Sequence, residues 1–293
     1  MSASVVVARR ASAADYLELT KPRITMTVVM TALVGYVMAT RGPVSPGRLG
    51  VTLAGTALVA AGASALNMVL ERRTDALMLR TRNRPVAAGR LRVVDAVAFA
   101  AFLTAAGLGI LRYGSEPLAA AVAFVTWATY LFAYTPLKTR TSLSTIVGAF
   151  PGALPPVIGW AAARGQIEPG AVVLFAILFL WQIPHFLAIA SIYREDYARG
   201  GLPMLPVLDP AGEVTGRQAV ANSLALLVVS VVPTIAGLAG RTYLVGAILL
   251  GVGFTGVAVW SAIRRTMASA RGLFVASIVY LLALCTLLLV DRL

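Results

Sequence analysis

Oxygen-bearing side chains recur at every fourth residue in one stretch of this chain. Residues 67 to 85, NMVLERRTDALMLRTRNRP, carry Asn67, Glu71 and Asp75. At about 100° per residue, these three positions span about 80° of one helical face. Two carboxylates and an amide oxygen that face the same way repel one another unless a cation lies among them, and such hard donors suit Mg²⁺. The spacing favours a magnesium site that shares its coordination shell with water and substrate phosphates.

Arginines follow these oxygen donors at once, at Arg80, Arg82 and Arg84. Guanidinium groups match phosphate oxygens in pairs, so a phosphate-bearing substrate fits beside the metal. The alternative is a positively charged membrane anchor whose carboxylates pair only with Arg72 or Arg73. The regular four-residue spacing favours a site over an anchor.

A second polar cluster lies in IYREDYARGGLPML, residues 192 to 205. Its polar and aromatic members are Tyr193, Arg194, Glu195, Asp196, Tyr197 and Arg199. If it faces the first cluster, the two could hold one diphosphate through two ions. Taken alone, these residues are also typical of an interfacial belt of tyrosine and arginine anchors, and both interpretations stay open.

The segment YTPLKTR, residues 134 to 140, places Tyr134 and Lys138 at the end of the fourth apolar run. Lys138 is one of only two lysines in the chain. An ammonium group near a leaving diphosphate would stabilise the negative charge that develops there. A lysine at a helix end can equally extend towards water, so both roles stay open.

The only histidine, His185, lies in WQIPHF, residues 181 to 186, one residue after Pro184. An ionisable residue within a membrane segment suggests function. His185 could ligate haem iron, donate a hydrogen bond to a propionate, or satisfy a carbonyl group that the proline frees. A further segment, FPGALPP at residues 150 to 156, predicts a broken helix of the kind found where backbone lines a cavity.

Long apolar runs must position these residues. The chain has 293 residues, of which 59% are hydrophobic and 13% charged, whereas a soluble domain usually has about 25% charged residues. About 20 apolar residues cross a bilayer as a helix, and the runs are too long and uniform for a transmembrane barrel. We therefore predict an all-α integral membrane protein of about nine transmembrane helices. The predicted spans are 24–40, 49–70, 96–111, 117–137, 141–163, 169–193, 218–240, 242–263 and 272–290.

The distribution of positive charge predicts the orientation in the membrane. Most of the 25 Lys and Arg residues lie in the N-terminal segment and in the loops after even-numbered helices. The positive-inside rule then places the N-terminus and these loops in the cytoplasm, with the C-terminus opposite. The net charge of +13 therefore does not indicate nucleic-acid binding.

No linker divides the chain, so residues 1–293 are expected to form one domain, with 1–23 as a cytoplasmic segment. The lone Cys285 excludes an intrachain disulfide.

The chain resembles the UbiA superfamily of intramembrane prenyltransferases, and within it the branch that farnesylates haem. The most specific pieces are TKPRIT, the stretch from 67 to 85, YTPLKTRT, WQIPHF and EDYARGGLPMLPV, and the match extends over nearly the whole chain. The resemblance implies nine helices around a central cavity, capped by the loops after helices 2 and 6. It implies farnesyl diphosphate as donor, Mg²⁺ as cofactor and protoheme IX as acceptor. The Ala- and Arg-rich composition favours a bacterial inner membrane as location. A complex with a haem A synthase is a further expectation.

The resemblance also assigns roles to residues. Asn67, Glu71 and Asp75 match the first metal–diphosphate motif, whose middle acid is often aspartate. Asp196 matches the second motif, but Gly200 stands where a second acid is usual, which puts a second metal in doubt. The four metal ligands and Lys138 form the expected catalytic set. Diphosphate binding is expected from Arg80, Arg84, Lys138 and Arg199, and acceptor binding from His185, Tyr134 and Tyr193.

Two other functions compete with this one. A superfamily enzyme that prenylates an aromatic quinone precursor would use the same metal site. A membrane transporter also fits many helices with a broken one and a lone intramembrane histidine. A transporter, however, gives no reason for Asn67, Glu71 and Asp75 to align beside an arginine cluster.

Overall fold

A computed structural model describes residues 11–293; residues 1–10, part of the predicted cytoplasmic segment, lie outside the described residues. Within this range, nine helices are long and apolar enough to cross a membrane, which confirms the predicted fold class. In chain order they are α1 (Pro22–Ala39), α2 (Pro46–Leu70), α3 (Val93–Gly114), α4 (Pro117–Leu137), α5 (Ser144–Arg164), α6 (Pro169–Ile192), α7 (Glu213–Ile235), α8 (Arg241–Arg264) and α9 (Met267–Val290).

Local sequence explains where several of these helices begin and end. Proline occupies the first turn of α1, α2, α4 and α6, where its fixed φ suits a helix and its missing N–H is not needed. Gly165 ends α5 with φ of 67°, a left-handed conformation that glycine adopts without steric cost. Prolines and this glycine thus separate one apolar run from the next.

Three of the spanning helices are interrupted. Helix α4 contains a π-helical segment, Thr129–Tyr134. Helix α5 breaks at Leu154 between Ser144–Ala153 and Pro155–Arg164, as the proline-rich segment predicts. Helix α7 consists of Glu213–Val229 followed by the short helix Val232–Ile235.

The seventh helix differs most from its predicted span of 218–240. It begins at Glu213 because Asp209 accepts a hydrogen bond from the Thr215 backbone N–H at 2.7 Å, which satisfies a free donor of the first turn within the polar loop. It ends at Ile235, and Gly237 follows in a left-handed conformation. Charge alone therefore placed the start five residues too late.

Four short helices lie outside the spanning ones: Ala13–Leu19, Arg72–Leu77, Arg194–Arg199 and Leu205–Leu208. They occur before α1, after α2 and after α6. We call this end of the bundle, formed by residues 11–21, 71–92, 138–143, 193–212 and 265–266, the loop face. Arg90 joins two of its segments, because its guanidinium pairs with Asp15 at 2.7 Å and with Glu18 at 2.9 Å.

The spanning helices pack as a ring that α9 closes against α1. Helix α1 also packs on the second half of α5, and there the backbones approach closely through glycine. A Cβ atom on Gly159 would collide with the Ala32 carbonyl, and one on Gly35 would collide with Pro156. Helices α1, α2, α4, α5, α6 and α9 enclose a central cavity.

Candidate active site at the loop face

The predicted four-residue repeat continues past the end of α2. The Glu71 N–H donates to the Asn67 carbonyl at 2.9 Å, and the Asp75 N–H donates to the Glu71 carbonyl at 2.8 Å. Helical spacing thus persists from α2 into the short helix Arg72–Leu77, although Glu71 itself leaves regular helical geometry. All three side chains are buried, and Asp75 is fully so.

Each of these three side chains bonds a cationic group from elsewhere in the chain. The Lys138 ammonium donates to both Glu71 carboxylate oxygens, at 3.0 and 3.2 Å. One Arg84 nitrogen donates to both Asp75 oxygens at 2.8 Å. Lys21 donates to the Asn67 side-chain oxygen at 2.7 Å. We call these six residues the ionic cluster.

The partners of the carboxylates are not those of the simple anchor described above. Glu71 pairs with Lys138 and Asp75 pairs with Arg84, whereas the Arg72 guanidinium donates to the Val69 carbonyl. Lys138 does not extend into water, because only 13% of its side chain is exposed. The structure therefore places Lys138 and Arg84 directly at the predicted metal and diphosphate motif.

Lys21 is a member of the cluster that sequence reasoning did not assign to the site. It precedes α1 with φ of 45°, a left-handed conformation uncommon for a residue other than glycine. Two features of the sequence could have indicated it: the TKPRIT segment and the rarity of lysine. The chain has only two lysines, and both belong to the ionic cluster. Strain of this kind persists where surrounding contacts hold it, often at functional sites.

Burial and charge shift the ionisation of two of these groups. Burial, assisted by the nearby Arg84 charge, lowers the pKa of the Lys21 ammonium to about 7. Burial alone would raise the pKa of Glu71, but the charges of Lys138 and Lys21 outweigh it and the net shift is downward. Glu71 is therefore held as a carboxylate.

The second polar cluster supports the arginine loop that follows Asp75. Asp196 is buried, and its carboxylate accepts the backbone N–H groups of Leu79 at 3.0 Å and Arg80 at 3.3 Å. Arg199 donates to the same carboxylate at 2.8 Å. A Cβ atom on Gly200 would meet the Met78 side chain at 3.1 Å, so a larger residue in its place would require that side chain to shift.

Arg80 lies between two tyrosines of this second cluster. Its guanidinium carbon is 4.5 Å from the Tyr193 ring centroid and 5.7 Å from that of Tyr197, and it donates to the Tyr197 hydroxyl at 3.3 Å. These contacts set the direction of an otherwise exposed arginine. Tyr193, predicted to bind the acceptor, thus contacts Arg80 instead of lining the central cavity.

The central cavity has a volume of about 390 Å³ and a mostly apolar wall. Tyr134, from the π-helical segment of α4, and His185, from α6, both line it, so the structure brings these two predicted acceptor residues together. Tyr134 stacks on Tyr130 with centroids 5.4 Å apart and lies 5.9 Å from the Lys138 nitrogen. It therefore stands between the ionic cluster and the apolar cavity.

His185 is anchored to α9. Its Nδ1 lies 2.7 Å from the Ser277 hydroxyl oxygen, and its ring stacks on Trp181 and Phe274 with centroid distances of 4.7 and 5.2 Å. The suggestion that His185 satisfies a carbonyl freed by Pro184 is therefore not supported for Nδ1, which bonds a hydroxyl instead. Trp181 donates its own indole N–H to the Ser277 carbonyl at 2.7 Å.

Tyr193, Asp196 and Arg199 line a second hollow of about 480 Å³. It lies at the loop face between the C-terminal end of α6 and the facing ends of α7, α8 and α9. The central cavity and this hollow lie on different sides of α6, since Gln182 and His185 face one and Ala188 and Ser191 face the other. The residues predicted to bind the acceptor are therefore separated: Tyr134 and His185 line the central cavity, and Tyr193 lines the second hollow.

Within residues 11–293, no three side chains of the His, Cys, Asp or Glu type lie close enough together to hold a metal. The ionic cluster offers two carboxylates and one amide oxygen. This set fits Mg²⁺, which usually takes one or two carboxylates and shares the rest of its shell with water and substrate phosphates. It does not provide a complete protein cage.

Comparison with known proteins supports a prenyltransferase. A family model described as "UbiA prenyltransferase family" matches residues 28–287. Proteins named protoheme IX farnesyltransferase are similar along nearly the whole chain. The one from Solibacter usitatus is 48% identical over 95% of this chain and 98% of its own length. The one from Opitutus terrae is 43% identical over 99% of this chain and 98% of its own length.

Solved structures show the same fold. A digeranylgeranylglyceryl phosphate synthase superposes with a TM-score of 0.79 at 16% identity, over 95% of this chain and 97% of that one. A UbiA homologue from Archaeoglobus fulgidus, bound to GPP and Mg²⁺, gives 0.67 at 16% identity over 94% and 99% of the two chains. Since the family model covers most of the sequence and relatives at 43–48% identity span nearly all of it, this chain belongs to the UbiA prenyltransferase family.

Proposed function

We propose that this chain transfers the farnesyl group of farnesyl diphosphate to a vinyl group of protoheme IX, giving haem O and diphosphate for haem–copper oxidase assembly. The structural observation that carries the proposal is that the ionic cluster lies next to Tyr134, which lines the apolar cavity. A charged diphosphate and an apolar prenyl chain need these two environments side by side. The relatives named protoheme IX farnesyltransferase support the choice of donor and acceptor.

Mg²⁺ is the proposed cofactor, held by Asn67, Glu71 and Asp75. Similarity to a UbiA homologue whose structure contains GPP and Mg²⁺ supports this choice. When bound, the ion supplies positive charge that neutralises the diphosphate. Asp196 stays a predicted ligand, although its carboxylate accepts two backbone N–H groups and Arg199 in this structure.

Positive side chains draw negative charge onto the leaving diphosphate. We assign this role to Lys138 and Arg84, which already contact the acidic motif, with Arg80 and Arg199 from the edge of the loop face. As the bond between the farnesyl carbon and oxygen breaks, these cations stabilise the electrons left on diphosphate. We add Lys21 to this set, because its ammonium group donates a hydrogen bond to Asn67.

The apolar cavity has the complementary task of protecting the farnesyl cation from water. Tyr134 lies at the polar end of this cavity, where its ring can contact the reacting carbon. The porphyrin vinyl group attacks the cation and forms the new carbon–carbon bond. Water then adds to the resulting cation and releases a proton, which leaves a hydroxyl group on the product.

A quinone precursor is the second candidate acceptor, because the ionic cluster would serve it equally. It gives no particular use for His185, the only histidine, on the cavity wall. A transporter is less consistent with membership of a prenyltransferase family.

For location, we propose a bacterial inner membrane with the loop face in the cytoplasm. We also propose that residues 1–293 form one domain. A complex with a haem A synthase stays a prediction.

The test is a reconstituted reaction. Detergent-purified protein is incubated with haem, Mg²⁺ and farnesyl diphosphate, and the products are analysed by mass spectrometry. We expect a farnesylated, hydroxylated haem that disappears with EDTA and returns with added Mg²⁺. An Asp75→Asn protein provides the matched control. If haem stays unchanged while a reference enzyme farnesylates haem in a parallel reaction, haem is excluded as acceptor and the assay turns to quinone precursors.

A further inference from the structure

His185 and Ser277 form a pair whose protons can be assigned from the hydrogen bonds around them. Ser277 is fully buried on α9, and its hydroxyl donates to the Phe274 carbonyl at 2.6 Å. A hydroxyl has one proton, so with that proton used the Ser277 oxygen acts as acceptor towards His185. The Nδ1 atom, 2.7 Å away, must then carry the shared proton.

The assignment leaves a lone pair on Nε2. A neutral imidazole has one protonated nitrogen, so Nδ1–H requires an unprotonated Nε2. Trp181 and Phe274 stack on the ring and Ser277 contacts its Nδ1 edge. Because His185 also lines the central cavity, the Nε2 edge is the part of the ring that can meet a ligand there.

We propose that Ser277 is a positioning residue that holds His185 in the Nδ1–H tautomer, so that Nε2 binds the iron of the porphyrin acceptor. This inference rests on the proposed function, since it needs a metalloporphyrin in the cavity. It also separates two roles that the sequence left open. An unprotonated Nε2 can ligate iron, whereas it cannot donate a hydrogen bond to a propionate.

The contacts around His185 are those expected for a histidine that binds a metal. Histidines that bind metals usually donate their other ring N–H to an oxygen acceptor, which fixes the ring and raises its basicity. Trp181 reinforces the arrangement, because it stacks on His185 and donates to the Ser277 carbonyl at 2.7 Å. Hydrogen bonds therefore connect helices α6 and α9 at the position of His185.

The tautomer can be measured directly, because His185 is the only histidine of the chain. Protein labelled with ¹⁵N-histidine and purified without a histidine tag gives imidazole signals from this residue alone. We expect a protonated Nδ1 and an unprotonated Nε2 in the wild-type protein, and a rise of the Nε2–H form in Ser277→Ala. A wild-type protein with Nε2–H would overturn the assignment without reference to any substrate.

Iron binding is tested with two porphyrins. Titration of Ser277→Ala with haem, followed by the Soret band, should show binding weakened about 10-fold or more, the range for loss of a partner that supports a metal ligand. Binding of metal-free protoporphyrin IX should be unchanged. His185→Ala should show the same selective loss. Ser223→Ala is the matched control, since Ser223 is also fully buried but bonds only the Ala219 carbonyl of its own helix.

The outcomes separate this proposal from the proposed function. Equal weakening of both porphyrins in Ser277→Ala would indicate a merely structural serine and overturn the positioning role, as would unchanged haem binding. If iron-dependent binding requires Ser277 but no farnesylated haem forms, the positioning role stands and the proposed reaction falls. If haem is farnesylated while neither variant changes its binding, the reaction stands and the iron contact falls.

Discussion

The pair of Lys138 and Glu71 allows a prediction in which stability and activity respond differently. Their side chains are 13% and 9% exposed, and both carboxylate oxygens accept from the ammonium group. Removing one partner of a buried pair costs about 3–5 kcal/mol, because the other charge is left uncompensated. In Lys138→Met we expect the free energy of unfolding to fall by about 3 kcal/mol. This is the lower end of that range, because the Lys21 charge also acts on Glu71.

A second substitution should separate the two effects. Glu71→Gln in the Lys138→Met background removes the uncompensated charge, so much of the lost free energy of unfolding should return. Turnover should not return, because neither the cation nor the carboxylate is then available to the diphosphate and its metal. We expect kcat to fall about 100-fold or more in Lys138→Met, as for loss of one group that stabilises developing charge, and to stay low in the double variant.

The assays are reversible unfolding in mixed micelles with increasing denaturing detergent and steady-state formation of farnesylated haem. Lys138→Arg, which keeps the charge, is the control for side-chain size. If Lys138→Met unfolds and turns over like the wild-type protein, the lysine merely extends from a helix end and the reasoning fails. If the double variant regains activity together with stability, Lys138 acts only by balancing Glu71.

Three further substitutions probe the ionic cluster and the helix ring. Asp75→Asn should reduce turnover about 100-fold or more while the protein still folds, measured by product formation across a Mg²⁺ titration; wild-type turnover would refute its role as a metal ligand. Lys21→Gly suits the left-handed backbone but lacks the amine, so it should raise the KM for farnesyl diphosphate with little loss of stability; an unchanged KM and kcat would leave Lys21 outside the site. Gly159→Ala should destabilise the protein by about 1–3 kcal/mol in detergent unfolding, because its methyl group would collide with Ala32 of α1. Gly253→Ala, in open space on α8, is its control and should be nearly neutral.

The number and approximate spans of the helices were predictable, because a bilayer of known thickness requires apolar runs of a definite length. The repeat of Asn67, Glu71 and Asp75 was also predictable, since helical spacing carries these side chains around one face even where α2 gives way to a short helix. Both inferences use local sequence alone. The broken α5 followed in the same way from its prolines.

The lysine partners of Asn67 and Glu71 could not be predicted from periodicity, because they come from distant parts of the chain. Lys21 is 46 residues before Asn67, and Lys138 is 67 residues after Glu71. Only packing of α1, α2 and α4 brings them together. The nearest arginine in sequence, Arg72, bonds a backbone carbonyl instead. Periodicity thus identifies which residues share a face, whereas tertiary contacts decide which charges meet.

Asp196 shows how a residue of a predicted metal motif can also support the neighbouring loop. Its motif matches an acidic metal-binding position, yet in this structure the carboxylate accepts the N–H groups of Leu79 and Arg80. Those bonds fix the loop that carries the arginines, just beyond Asp75. Gly200, in place of a second acid, lies against Met78 of the same loop. The second cluster therefore braces the first one, and an ion bound there would have to compete with the backbone contacts that hold Arg80 in position.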